Sequence, residues 1–129
     1  MELRITLHGQ SVHQLNTKGA EGIKDPALTA KGKAEAEARR IQVPLTERDV
    51  LVSGPALRML QTASLWSGDS AVLRFVHPLA GPREHPFRYD FQTLEWDWPM
   101  GPERILTHFP DWLLSPDVPE HLWIQGINT

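Results

Sequence analysis

Apolar and polar positions alternate at the start of the chain, and the spacing becomes helical further on. Residues 2–7 are apolar at every second position and rich in β-prone side chains, which predicts a first strand. From Thr29 to about residue 41 alanines recur among charged residues, and Thr29 is a good N-cap, so we expect a helix. Gly32 falls in its first turn, where glycine costs about 1 kcal/mol relative to alanine. That cost indicates close packing or the approach of a ligand.

Shorter apolar runs predict the remaining elements. Residues 50–52 form a short buried strand in this interpretation, residues 72–76 a third strand and residues 121–125 a fourth. Pro55 is expected at the first position of a helix that extends to about Trp66, and residues 102–114 should hold a helix interrupted at Pro110. The alternation of strands and helices predicts one α/β domain over residues 1–129, with a mainly parallel sheet flanked by helices. An unpaired edge of such a sheet leads us to expect a homodimer.

Composition narrows the class of protein. The 129 residues are 40% hydrophobic and 22% charged, with a formal net charge of -3. No run of lysine and arginine is present, so we expect neither a nucleic-acid nor a membrane partner. Cysteine is absent, and the six histidines lack the spacing of a helical metal site. No apolar stretch approaches the roughly 18 residues of a membrane helix, so a soluble, cytoplasmic protein is expected.

The second half of the chain is rich in proline and tryptophan. Its tryptophans are expected to fill core and lid contacts, or alternatively to form a platform on which a substrate stacks; they are Trp96, Trp98, Trp112 and Trp123. Residues 85–91 predict either a lid that selects the substrate, with Arg88 facing an anion, or an interaction surface.

Four segments carry the candidate chemistry, and their order is informative. The first, residues 7–16, begins Leu7-His8-Gly9 directly after the predicted strand, at the rim of the sheet where ligands bind. The others are residues 25–32, residues 52–63 and residues 78–84. Together they resemble the histidine phosphatase superfamily, which includes the phosphoglycerate mutases. The resemblance covers residue 3 to about residue 84, nearly two-thirds of the chain.

The resemblance implies a phosphoglycerate mutase-like fold and a role for each matching residue. His8 would take a phosphoryl group from a small phosphate ester or a phosphoprotein and pass it to water, with no cofactor. Arg58 would clamp the phosphate at the start of a helix, where the planar guanidinium and the helix dipole both favour an anion. Asn16 and Ser11 would add neutral hydrogen bonds, and Glu84 would protonate the leaving oxygen.

The sequence departs from the family pattern at two positions. Leu7 replaces an arginine, and Gln125 stands where the family has a second histidine. Losing one preorganised donor costs about 3–4 kcal/mol of transition-state stabilisation. The chain also ends at Thr129, before a strand and helix that normally follow, so the fold is expected to be shortened at its C-terminus. A weak or inactive relative that binds phosphate or a protein partner, a reduced member and a truncated form all remain open.

Several structural interpretations compete with the functional ones. His8 is alternatively a strand-end cap, Arg58 a partner of a surface carboxylate such as Asp69, Glu84 a solvated loop carboxylate and Asn16 an Asx-turn residue. A mutase would require the site to bind the product again before water attacks. Other side chains are candidates to replace the lost charges: Arg4, Arg83, Arg88, His77, His85 and His121.

Overall fold

Helices and parallel strands alternate after residue 29 in the computed structural model, which describes residues 1–15, 23–83 and 94–127. The elements are α1 (Ala30–Gln42), β1 (Val50–Ser53), α2 (Leu57–Ser67), β2 (Leu73–Val76), α3 (Pro102–His108), β3 (Leu113–Leu114) and α4 (Glu120–Gln125). Short 3-10 turns lie at Val12–Gln14, Pro78–Ala80 and Glu95–Asp97. None of the helices in the described ranges has the length and hydropathy needed to span a bilayer.

The described sheet has three parallel strands in the order β1-β2-β3. Val50 pairs with Leu73 at one end of the first ladder, and Ser53 pairs with Val76 at the other. Because β1 and β2 are parallel, the chain must return between them, and α2 makes that crossover. The prediction of an α/β fold with a parallel sheet and flanking helices is confirmed.

The hydrophobic core lies between the sheet and the helices that follow β1. Leu60 of α2, Val76 of β2 and Ile105 of α3 are fully buried. Trp112 and Trp123 belong to the same core at 2% and 7% exposure, so the expected packing role is confirmed for these two tryptophans. The C-terminal segment therefore shares one core with β1 and α2.

Two helix starts show how the local sequence sets the fold near the sheet rim. The Thr29 hydroxyl oxygen accepts a hydrogen bond from the Gly32 N–H at 3.1 Å, as expected of an N-cap. Helix α2 begins two residues later than predicted, at Leu57 rather than Pro55, because its N-cap is Ala56 in an extended conformation. Ala56 has no side chain that could cap the helix. Asp25, distant in sequence, does so instead, because its Oδ1 accepts from the Leu57 N–H at 2.8 Å.

Three sequence-based assignments of secondary structure are wrong. Residues 2–7 form no strand, and Leu3, Ile5 and Leu7 are at least 80% exposed, because this segment does not pair with the sheet. Residues 121–125 belong to helix α4 and not to a fourth strand. The expected helix over residues 102–114 ends at His108, and the short strand β3 follows it.

Strand β1 is an outer strand of the described sheet. The homodimer that we expect from an open sheet edge stays a prediction. Light scattering should give about twice the 14.6 kDa mass of one chain. Val52, half-exposed on β1, offers a test because a charged side chain on an edge strand opposes pairing. Val52→Lys should shift the mass toward one chain, while Leu106→Lys on α3 should not. A mass of one chain for the unsubstituted protein at high concentration would contradict the expectation.

Candidate functional site

His8 and Arg58 meet where the carboxyl end of β1 leads into α2. Arg58 is the second residue of α2, so it lies in the turn whose backbone N–H groups and dipole favour anions. Its Nε–H donates a hydrogen bond to His8 Nε2 at 3.3 Å, although fifty positions separate the two residues. The structure thus brings together the predicted nucleophile and the predicted phosphate clamp.

The imidazole of His8 is held in one tautomer by its own backbone. Nδ1 lies 2.6 Å from the Gly9 carbonyl oxygen, which can only accept, so Nδ1 carries the proton. Nε2 then keeps its lone pair and accepts from Arg58. Burial lowers the pKa of His8 below its ordinary value; the Gly9 bond opposes this, and the charge of Arg58 adds to it. The ring is therefore neutral near pH 7, with its lone pair directed at the guanidinium.

The backbone that carries His8 is fixed to both helices. The Gly9 N–H donates to Thr62 Oγ1 at 3.1 Å, and the Thr62 hydroxyl donates to the Arg58 carbonyl at 2.7 Å. On the other side Gly9 meets Gly32 of α1, and a Cβ at either residue would overlap the backbone of the facing segment. Gly32 thus has the close-packing role that its unfavourable position in the helix indicated.

Arg58 is surrounded by oxygen acceptors and is 2% exposed. Nη1–H donates to the Trp96 carbonyl at 2.6 Å, and Nη2–H donates to Asp97 Oδ1 at 2.6 Å. The expected alternative partner, Asp69, is replaced by Asp97, which is itself buried. We call Arg58, His8, Trp96 and Asp97 the arginine site.

A second histidine stands beside the arginine site. The ring centroid of His13 lies 6.3 Å from that of His8 and 5.3 Å from that of Trp96. Its Nδ1 is 2.7 Å from Ser11 Oγ, and Ser11 is completely buried. Burial lowers the pKa of His13 to about 4, with further lowering from Arg58 and His8. His13 is therefore neutral near pH 7 and can donate or accept a hydrogen bond.

Two carboxyl groups near Arg58 have raised pKa values. Burial raises the pKa of Asp97, although the charge and hydrogen bond of Arg58 partly oppose the rise. Burial also raises the pKa of Asp25, partly opposed by its bond to the Leu57 N–H. The second oxygen of Asp25, Oδ2, is buried and has no hydrogen-bond partner. A neutral Asp25 would satisfy α2 through one oxygen while avoiding a second buried charge.

The other residues singled out in the sequence are distributed differently. Asn16 and Glu84 lie outside the described residues. Gln125 is an exposed residue in the last turn of α4, so it does not follow a strand as its proposed role required. Leu7 is 84% exposed, and Arg4 pairs with Glu2 at 2.8 Å on the surface.

Two participants were not predicted from the sequence: His13 and Asp97. Trp96 was predicted to make core or lid contacts or to stack on a substrate, but not to hold Arg58 through its carbonyl oxygen. The only available signal for His13 was its place two residues after Ser11, in the same segment as His8. Nothing in the local sequence marks Asp97, because its significance depends on a contact with a residue 39 positions earlier.

A cavity of about 730 Å³ opens beside the His8 ring. His8, Thr62, Met59 and Gly54 contribute to its lining together with residues 2–7 and β1, whereas Arg58 and Asp97 do not. Its size is sufficient for a small organic ligand. In the described part of the chain no group of three or more histidine, aspartate or glutamate side chains is placed to hold a metal ion.

A parallel sheet flanked by helices, with a tautomer-fixed histidine against an arginine at a helix start, defines an α/β protein. The model of the histidine phosphatase superfamily (branch 1) matches residues 4–79, which is more than half of the chain. The chain therefore belongs to the histidine phosphatase superfamily, and the expected family is confirmed. No curated protein and no solved structure shows a significant match.

The contact between Gly9 and Gly32 predicts an unusual effect of a helix substitution. Alanine is favoured over glycine in a helix by about 1 kcal/mol, but at position 32 its Cβ would overlap the backbone of Gln10. Gly32→Ala should therefore lower the free energy of unfolding and disturb the His8 backbone. Chemical denaturation measures this effect, with Lys33→Ala at an exposed helix position as the control. A rise in stability for Gly32→Ala would show that the contact is absent.

The environment of His13 predicts its titration. Because burial favours the neutral ring, the His13 resonances should titrate near pH 4 instead of near 6.5, the ordinary pKa of a histidine. The folded state binds fewer protons than the unfolded state between these values, so this residue's contribution to stability is lost as pH falls from 6.5 toward 4. NMR of the ring carbons measures the midpoint. Arg58→Gln should raise that midpoint, and a midpoint at 6.5 in the unsubstituted protein would refute this account.

Proposed function

We propose that this protein is a phosphohydrolase that transfers a phosphoryl group from a phosphate ester to His8 and then to water. The substrate is a small phosphorylated molecule or a phosphoprotein. The observation that carries the proposal is the His8 imidazole, whose Nδ1–H is bound to the Gly9 carbonyl while Nε2 keeps its lone pair against Arg58. A nucleophilic imidazole needs this protonation state.

In the proposed first step Nε2 of His8 attacks phosphorus, and the bond between phosphorus and the ester oxygen breaks. Arg58 Nε–H, which donates to Nε2 before the reaction, would turn to a phosphoryl oxygen as the lone pair is used. The positive charge that develops on the ring is stabilised by the hydrogen bond from Nδ1–H to the Gly9 carbonyl oxygen. The leaving oxygen takes a proton from an acid, a role that family resemblance gives to Glu84. Water then attacks phosphorus and gives a proton to the conjugate base of that acid, the P–N bond breaks, and inorganic phosphate is released.

In the proposed mechanism, side chains around the His8 ring donate hydrogen bonds to the phosphate in place of water. Arg58 supplies a guanidinium in a nearly dry setting, where its attraction for a phosphoryl oxygen is stronger than in water. His13 adds a neutral side chain near His8, and we propose that it donates a hydrogen bond to the phosphate. Ser11 acts through His13, because its hydroxyl lies against His13 Nδ1. The proposed direct roles of Asn16 and Gln125 stay predictions.

A second candidate function is phosphate binding with weak or no turnover. Each nitrogen of the Arg58 guanidinium already has an acceptor, and Leu7 supplies none of the charge that an arginine would. One cation would then face a transition state that two or more usually stabilise. A phosphate ester that binds in calorimetry and is recovered uncleaved would favour this candidate.

The hydrolase predicts a covalent intermediate. Mixing the protein with p-nitrophenyl phosphate labelled at phosphorus and quenching in alkali should leave label on the chain that acid removes, since phosphohistidine is acid-labile. His8→Ala should abolish the label, whereas His121→Ala, an exposed histidine on α4, should retain it. Arg58→Lys keeps a cation beside Asp97 but removes the planar fork, and should slow labelling by about 10²–10³-fold, the cost of one lost preorganised donor.

The outcomes separate the two candidates. Label that persists in His8→Ala would remove His8 as the nucleophile. No label on the unsubstituted protein with any of a panel of aryl, sugar and peptide phosphates would remove the hydrolase. Binding of the same esters in calorimetry would then establish the second candidate.

A further inference from the structure

The guanidinium of Arg58 already has an anion in place. Asp97 Oδ1 lies 2.6 Å from Nη2, and the two side chains are 10% and 3% exposed. The Trp96 carbonyl oxygen takes Nη1–H at 2.6 Å. Two oxygens of adjacent residues therefore occupy both terminal nitrogens of the fork that would otherwise hold a phosphate.

A carboxylate and a phosphate compete for the same geometry on arginine. Each offers oxygens that the planar fork can bind in pairs, and His8, Trp96 and Asp97 already take one N–H from each nitrogen of the guanidinium. We propose that Asp97 is a built-in competitor of the substrate, which keeps the arginine site closed until a phosphate displaces it. The proposal rests on the proposed function in taking phosphate as the ligand of Arg58.

The placement of Asp97 allows it to move away from Arg58 together with the rest of its 3-10 turn. Asp97 and Trp96 belong to the same 3-10 turn, Glu95–Asp97, and both contact the same guanidinium. The Trp96 ring also lies against His13. Movement of this turn would therefore release Arg58 and uncover His13 together.

The charges of the closed arginine site give little attraction to an incoming anion. With His8 and His13 neutral, the charge of Arg58 is cancelled by Asp97, so an approaching anion meets almost no net attraction. Burial raises the pKa of Asp25, the other carboxyl that senses Arg58, although the Leu57 N–H and the charge of Arg58 oppose the rise. An anion must replace the Asp97 contact to gain any charge pairing. Burial alone disfavours the charged form of Asp97, so without Arg58 the carboxylate is better solvated in water.

Calorimetric titration with inorganic phosphate tests the proposal without requiring turnover. If the open site is populated at about 10% or less, removing the competitor should tighten phosphate binding about tenfold or more. Asp97→Asn keeps the shape of the side chain and removes its charge. Glu95→Gln removes an exposed carboxylate from the same turn and should bind phosphate as the unsubstituted protein does. An unchanged or weaker affinity in folded Asp97→Asn would overturn the proposal.

A second measurement covers the case in which Asp97→Asn does not fold. In unsubstituted protein with carbon-13 in its aspartate carboxyl groups, saturating phosphate should move the Asp97 signal to the position of a water-exposed aspartate. Phosphate that saturates the protein and leaves this signal unchanged would overturn the proposal, as would the absence of any phosphate binding.

These results are independent of the labelling experiment. Tighter phosphate binding by Asp97→Asn without label on His8 would support the competitor and remove the hydrolase. Label on His8 with no effect of Asp97→Asn would do the reverse.

Discussion

The buried guanidinium of Arg58 is the interaction on which the site depends. It joins parts of the chain that are far apart in sequence: the loop after residue 7 through His8, the helix α2 that carries it, and the turn at Trp96 and Asp97. Its charge lowers the pKa of both histidines and opposes the rise in the pKa of Asp97. A neutral side chain of similar size at position 58 would leave the buried carboxylate without its partner, which is strongly destabilising in protein interiors. Structure and chemistry at this site therefore depend on the same residue.

Packing explains why His8 can be held so firmly at the end of a segment that is otherwise exposed. Residues 2–7 contribute little to the core, yet the next two residues contact both α1 and α2. The glycine pair at 9 and 32 brings two backbones into contact, and Thr62 satisfies the Gly9 N–H. The position of His8, the proposed nucleophile, is thus set from its C-terminal side, by the loop and the helices, and does not require the preceding segment to pair with the sheet.

The sequence was sufficient for the elements whose signals are local. Thr29 caps α1 where predicted, and Arg58 falls at the start of a helix that follows a strand, as expected. That strand is only half buried, contrary to the prediction, because Val50 and Val52 are exposed on one face of β1. Alternation over residues 2–7 was a poor guide, because it reports that a segment is able to pair and not whether a partner strand accepts it. The apolar run at 121–125 is short enough to suit a strand or a helix. Pro119 and Glu120 at its start favour the helix that forms.

Asp97 could not be predicted in the same way, and the reason is physical. A carboxylate in a proline- and tryptophan-rich stretch has the sequence signature of a solvated loop, and only the long-range contact with Arg58 gives it another meaning. That contact also changes what the family's motifs imply here. A histidine, a glycine and a helix-start arginine in the right order match the motifs of the family, but they do not show whether the arginine is available to an incoming phosphate. Availability depends on the free energy of one buried ion pair relative to the same guanidinium bound to phosphate. Arg58 is charged and buried both when it is paired with Asp97 and when it is bound to phosphate. The cost of desolvating the guanidinium therefore largely cancels between the two states. The difference is then set by the anions: a phosphate monoester dianion brings more charge to the guanidinium than the carboxylate it displaces but gives up its own hydration, whereas Asp97 regains its hydration on leaving.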